Sequence, residues 1–460
     1  MYNNRALFST LALALSMSAL SLAPSHGLAQ TAVPAPTCGL PNQPACGIYN
    51  PFTGPQVQNG DVTSRVTVSG STIQVDGSNV PPDTGPLPAQ VTATAISTVS
   101  SALGNNVSAK VQNEFQLQGD ITQELFGSVT AYNVVTTASA VPGLISSVTS
   151  AFGNTAQAEA CCGGIDVDMS QTVSAGYIIA DAQVTTAPGL GTLSMATTAN
   201  ANAIGTSVTR GPLTLRGFQS NYVDVISSSQ GQVCCNDGSI TVASTAVANS
   251  SASASSTSTV YSTMRQLKEG SVISGASHMT NSGRLITSAT QATGNSVYTT
   301  NQWGYTQVDA QQTNVGSISA VANLTANNFL TSAVVGATAT ANSILMSNQG
   351  SDATLIGHQT NEVGADVTSL VFLDGASMNG GVAQASSTAI ANAMTGYACS
   401  GCGTESVKLE GFYSQTNNAN VTSDVQIGSV GGMSTSGPIF GQSTAVGNSA
   451  TFIAQRASNP

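Results

Sequence analysis

The chain has 460 residues, of which 41% are hydrophobic, 5% aromatic and 7% charged, and 10 Lys and Arg against 21 Asp and Glu give a formal net charge of −11. An ordinary globular domain carries about 25% charged residues, so this composition argues against a row of conventional domains and for one extended, repetitive object. Low charge with plentiful Val and Thr favours β-structure over disorder, and the lack of a basic cluster argues against a nucleic-acid partner.

Residues 1–29 read as a secretory signal peptide: Arg5 is the sole early charge, an apolar run spans 6–22, and Gly27-Leu28-Ala29 offers a small-residue cleavage site. The run is short for a membrane anchor, and no later segment has about 18 apolar residues in a row. The mature protein is therefore expected to be exported and not obviously lipid-anchored. Residues 30–55, with six prolines, form a Pro-rich N-terminal leader. Residues 56–89 hold a degenerate first repeat, QVQNGDVTSRV from Gln56, and a linker, VPPDTGPLPA at 80–89. Residues 90–460 are repetitive throughout.

Two phrases recur there. SALGNNVSAKVQ at 101–112 returns as QATGNSVYTTN at 291–301 and STAVGNSATFIAQ at 443–455. Its marker falls at Gly104, Gly153, Gly205, Ala248, Gly294, Ala341, Ala391 and Gly447. Between these marks lies a second phrase, such as QQTNVGSISAVANL at 311–324, whose lead glutamines are Gln123, Gln171, Gln219, Gln266, Gln312, Gln359 and Gln415. Both markers keep a period near 48 residues. Within the second phrase Ile318, Ala320, Ala322 and Leu324 fall on one face of a strand. The Gly-Asn pairs read as turns with positive φ.

A strand–turn–strand unit cannot bury its own face, but stacked copies can. The expected fold is all-β: a right-handed or curlin-like β-solenoid of about eight copies, two rungs each, with rungs about 4.8 Å apart. Equivalent residues then stand in columns. Like charges at that spacing repel, which explains their rarity, and the seven glutamines form an amide ladder.

Chemistry is sparse. Cys38, Cys46, Cys161, Cys162, Cys234, Cys235, Cys399 and Cys402 are disulfide candidates in an oxidising compartment. The expected bridges are Cys38–Cys46, across a Pro-rich turn, and Cys399–Cys402, closing the loop at 396–404. The two doublets are open between mutual, interchain and vicinal bonds. The lone Cys-x-x-Cys lacks the second pair and His partners of a metal site. Asp166 and Asp168 share a strand face and read as a solvated edge. His278 and His358 have no nucleophile phrase beside them. Trp303 and Tyr305 are candidates for sugar stacking. No catalytic, cofactor or metal residues are assigned.

The phrases AVGNSATFIAQ and ALGNNVSAKVQ resemble repeats of curlin-type amyloid subunits, with a period about twice as long. The signal peptide, size, Ala/Ser/Thr/Asn-rich repeats and Cys doublets resemble the HfaD family of holdfast anchor proteins. That resemblance implies a non-enzymatic protein at the outer membrane or cell surface. It would tether an adhesive polysaccharide, self-associate, and act with HfaA-like and HfaB-like partners. The alternatives are another secreted repeat adhesin or a β-helix carbohydrate-active enzyme.

Overall fold

The computed structural model describes residues 48–455 apart from 53, 70–71, 78–94, 113–115, 139, 234–237, 257, 376–377, 401–406 and 430–432. The signal peptide, most of the Pro-rich leader and the linker at 80–89 lie outside the described residues. The chain divides into two units, Met1–Cys46 and Gly47–Pro460, and the second is the one described.

Among the described residues every regular element is a strand. All strand pairs but one are parallel, and they build three faces. The first, the glutamine face, stacks Gln116–Leu125, Ile165–Val173, Leu213–Asn221, Val260–Lys268, Thr306–Asn314, Ala353–Asn361 and Leu409–Asn417. The second, the short face, stacks Val62–Ser69, Val129–Thr137, Tyr177–Thr186 and Asp224–Val233, then residues 272–280 and 318–326, then Val367–Asp374 and Val421–Ile427. The third, the bent face, stacks Ile96–Val111, Leu144–Ala160, Thr192–Val208 and Ile240–Ser256, then residues 286–302 and 333–349, then Met378–Cys399 and Ile439–Gln455. Successive strands along the chain fall on the bent, glutamine and short faces and then on the bent face again. This is a parallel β-solenoid, as the alternation of Ile318, Ala320, Ala322 and Leu324 into the core indicates.

The layering differs from two rungs per copy. Gln123 pairs with Gln171 and Asn202 with Asn249 as direct neighbours, so each copy of about 48 residues is one three-faced layer. Eight layers at about 4.8 Å make a stack of about 40 Å. Two similar half-copies share period-two alternation, but they lie on different faces of the same layer.

The Gly-Asn pairs also differ from the turn reading. None of Gly104, Gly153, Gly294 or Gly447 has positive φ; that conformation falls on corner residues such as Cys162, Trp303, Gly176 and Gly350. The strand instead runs through the pair and bends. The residue before the Asn is skipped in the pairing register, and the position is Gly or Ala in every layer. A Cβ at Gly153 would lie 2.5 Å from the Ala201 carbonyl, so only small residues fit. In the third copy this position is Ala201, with Gly205 four residues further on.

The bend divides the interior. Ahead of it the bent strand packs against the short face through Ile145, Leu193, Ile240 and Val272. Beyond it the strand packs against the glutamine face through Ile165, Leu213, Ile204 and Ile344. Both cores use mostly Ala, Val and Ile, which suit a narrow space between sheets.

Candidate functional site

The wall between the two cores is made of amides. Each Gln Nε2 donates to the Oε1 of the Gln one layer before it: Gln123 to Gln56, Gln171 to Gln123, Gln219 to Gln171, Gln266 to Gln219, Gln312 to Gln266, Gln359 to Gln312 and Gln415 to Gln359, at 2.7–2.9 Å. A second column is formed by the asparagines of the bend. Asn105, Asn154, Asn202, Asn249, Asn295, Asn342 and Asn392 each donate from Nδ2 to the Asn one layer onward, ending at Asn448. The two ladders therefore point in opposite directions.

They also brace one another. Asn202 donates its second N–H to the carbonyl of Ser220, which follows Gln219. Gln219 donates its own to the carbonyl of Ser250, which follows Asn249. The same exchange recurs at Asn154 with Thr172 and Gln171 with Ala203. Every buried N–H of these amides has an acceptor, which is what permits them in a dry interior.

A third inward column ends the glutamine strands. It reads Leu125, Val173, Asn221, Lys268, Asn314, Asn361 and Asn417. Lys268 is fully buried and its Nζ donates to the carbonyls of Gly316 and Ser317 at 2.6 and 2.8 Å. Burial pushes its amine well below the usual lysine range, against a weaker opposing pull from Asp224. Asn314 directly above has an Oδ1 without a partner. Lys268→Asn is expected to raise the thermal midpoint, worth about 1 kcal/mol, because the new amide extends the Asn column and removes a buried amine. A lowered midpoint would show that the two carbonyls need the lysine.

The outer surface of the glutamine face gathers the charge. Asp120, Asp168, Arg216, Thr263 and Asp309 stand in one column. Thr122, Ser170, Phe218, Arg265, Gln311 and His358 stand in the next. Arg216 reaches both Asp166, at 2.8 Å, and Asp168. The Asp168 hydrogen bond is the main cause that raises its guanidinium pKa. Arg265 meets both oxygens of Asp309, at 3.0 and 3.2 Å. Between these pairs lies a groove of about 360 Å³, lined by Asp120, Asp168, Arg216, Phe218, Thr263 and Arg265 among others. Asp166 and Asp168 both face solvent on this surface and share Arg216. The bent face offers a contrast: its outward column Ser101, Ser150, Thr198, Thr245, Gln291, Thr338 and Thr388 is uncharged.

The other candidates are dispersed. Trp303 is 57% exposed at a corner, with φ of 60°, and lies over Gly350 of the next layer, where a Cβ would come within 2.6 Å of its ring. Tyr305 is half-buried; its hydroxyl is 2.9 Å from Thr354 Oγ1 and its ring centroid 6.1 Å from that of Tyr261. The sulfurs of Cys161 and Cys162 are 2.9 Å apart at a corner where Cys162 has φ of 69°. Cys399 Sγ faces the carbonyl of Ser400. Cys38, Cys46, Cys234, Cys235 and Cys402 lie outside the described residues. His278 is buried and His358 exposed. Among the described residues, no group of three or more His, Cys, Asp or Glu is placed to hold a metal ion, and no helix is long and apolar enough to cross a membrane.

The class these features define is a parallel β-solenoid braced by internal amide ladders, with an outer face rich in ion pairs. No curated protein and no solved structure matches the chain. A family model does: residues 89–364 match HfaD, holdfast attachment protein D, and the chain belongs to that family. The match covers the layers from Ile96–Val111 through Ala353–Asn361, including the groove and most of both ladders.

Proposed function

We propose that the chain is an exported, non-enzymatic protein that anchors an adhesive polysaccharide, the holdfast, to the outer cell envelope. Membership of a holdfast attachment family is the observation that carries this reading. The rigid, nearly charge-free stack supplies a scaffold on which weak contacts repeat from layer to layer, so many of them add up as avidity. The carboxylates do not argue for sugar cleavage. Glycoside hydrolysis needs a carboxylic acid free to pass its proton to the leaving group, whereas Asp166 and Asp168 are both occupied as acceptors of Arg216 N–H groups.

Association through the stack ends, in an amyloid-like manner, is part of the proposal. The layer Leu409–Asn417, Val421–Ile427 and Ile439–Gln455 pairs on one side only among the described residues. Such an edge templates another strand. Its apolar groups Tyr413, Phe440 and Ile439 are 42–56% exposed. The ladders make the two ends complementary. The last layer presents Gln415 Oε1 as acceptor and the first presents Gln56 Nε2 as donor, so head-to-tail stacking continues the ladder. At the first layer an antiparallel strand, Thr72–Gly77, covers the edge of the short face, and among the described residues no strand pairs beyond the first layer on the other two faces. A curlin-like partner of the HfaA type, delivered with an HfaB-like lipoprotein, is a second occupant of the same edge. In the exported protein we place the adjacent Cys161 and Cys162 as a bonded vicinal pair, tested by alkylation before and after reduction.

The test is a deletion strain. Cells lacking the protein are expected to shed adhesive polysaccharide into the medium and to lose surface attachment. Normal attachment would defeat the anchoring reading. A strain carrying Tyr413→Lys with Ile439→Lys is expected to attach poorly and to lose high-molecular-weight forms of the protein. Normal assembly there would defeat only the end-association mechanism.

A further inference from the structure

We infer that the groove on the outer glutamine face is a saccharide subsite, and that its ligand is an extended polysaccharide without net negative charge. The inference rests on the anchoring reading and adds to it the face, the residues and the charge class of the sugar.

Three observations point to this groove over the other faces. First, it holds what sugar recognition uses: an aromatic ring beside fixed planar polar groups. Phe218 is 44% exposed, and its column neighbours are Ser170 and Arg265. Its face offers an apolar platform for the C–H face of a pyranose ring. Second, the polar groups are held before a ligand arrives. Arg216 is tied to Asp166 and Asp168, and Arg265 to Asp309. Each pair leaves free lone pairs or N–H groups for sugar hydroxyls, and their positions cost no further ordering on binding. Asp120 lies one layer below Asp168 and supplies a further acceptor. Third, the groove crosses four layers. An extended sugar chain advances per residue by nearly the strand spacing of about 4.8 Å, so consecutive sugar units meet consecutive layers.

The charge class follows from counting. Asp120, Asp166, Asp168 and Asp309 outnumber Arg216 and Arg265, and the whole chain carries −11. A polyuronate would be repelled both locally and at a distance. A neutral chain is accepted, and amino groups on the sugar would find carboxylate partners. The outward column of the bent face through Ser150, Thr198, Thr245 and Gln291 carries only rotating hydroxyls and amides, so it serves as the internal control.

The experiment uses the purified full-length protein. The probes are polysaccharide collected from the medium of the deletion strain and three defined oligomers: a cello-oligosaccharide, a glucosamine oligomer and a galacturonate oligomer. Phe218→Ala and Arg216→Gln change exposed side chains, and circular dichroism and the thermal midpoint verify that each variant is folded. Each is expected to weaken binding of the shed polysaccharide about tenfold or more. Thr198→Ala and Thr245→Ala on the bent face are expected to leave it unchanged. The galacturonate oligomer is expected to bind worst. Groove variants that bind like the parent, bent-face variants that lose binding, or a preference for galacturonate would each overturn the inference while the anchoring reading stands. A parent protein that binds none of the probes would overturn the anchoring reading itself.

Discussion

Replacing Gln219 by Ala is expected to destabilise the fold by about 4 kcal/mol, whereas the same change at Gln415 costs about 1 kcal/mol or less. Gln219 has no exposed surface. Its Nε2 donates to Gln171 Oε1 and to the Ser250 carbonyl, both at 2.9 Å, and its Oε1 accepts from Gln266 at 2.7 Å. Truncation strips a donor from two buried oxygens and an acceptor from one buried N–H. Each orphan costs about 1–3 kcal/mol, softened if water enters the space left by the amide. Gln415 donates to Gln359 and to the Ser449 carbonyl, but it stands in the last layer, where water replaces the lost bonds. Asn249→Ala is expected to behave like Gln219→Ala, since it too breaks a ladder on both sides. Urea midpoints of the three variants provide the check. A Gln219 variant no weaker than the Gln415 variant would mean that the wall is filled by water and not by continuous ladders.

The ladders are also where the sequence is most informative. In a stack each residue meets its own equivalent, so a column must suit itself. Gln does, because its amide is donor and acceptor at once. That is why Gln123 through Gln415 recur at nearly constant spacing and why the solenoid is legible without a structure. The asparagines that pair 46–50 residues apart, and 56 apart across the last interval, carry the same signal. They were hidden by a local reading: Gly-Asn is a strong turn dipeptide, and nothing local distinguishes a turn from a bend in a strand that continues. The choice of Gly205 over Ala201 follows from that, since the Asn, not the Gly, is the fixed point.

Two other features were not legible for a different reason. The number of strands per layer is set by how three faces close on one another, and both half-copies alternate alike. The groove is dispersed along the chain: Asp120 and Asp168 come from one copy each, and Arg216 and Phe218 from a third. Only after the copies are aligned at the register of the strands do Asp168 and Arg216 become neighbours. The scarcity of charge then acquires a meaning: on the outer glutamine face Arg216 sits beside two carboxylates, which turns a repulsive column into an attractive one.

Acid is expected to weaken the protein through a single buried imidazole. His278 points into the core of the short face, and neither ring nitrogen has a hydrogen-bond partner. Gly231 below makes room for it, since a Cβ there would lie 2.3 Å from Nδ1. Burial lowers its pKa from the usual 6.5 to about 4. The folded pKa is depressed, so the unfolded chain takes up the proton first. The stability associated with the neutral ring is therefore complete above about pH 6.5 and is lost as pH falls towards 4, at which point the loss reaches about 3 kcal/mol. Leu324 occupies the same position in the next layer, so His278→Leu fits the column and removes both unpartnered nitrogens. The variant is expected to be at least as stable as the parent at pH 7 and clearly more stable at pH 4.5, measured by urea midpoints at both values. All other titratable groups are the same in both proteins, so the difference between them isolates the imidazole. Equal acid sensitivity in parent and variant would show that His278 reaches solvent and is not sealed in the core.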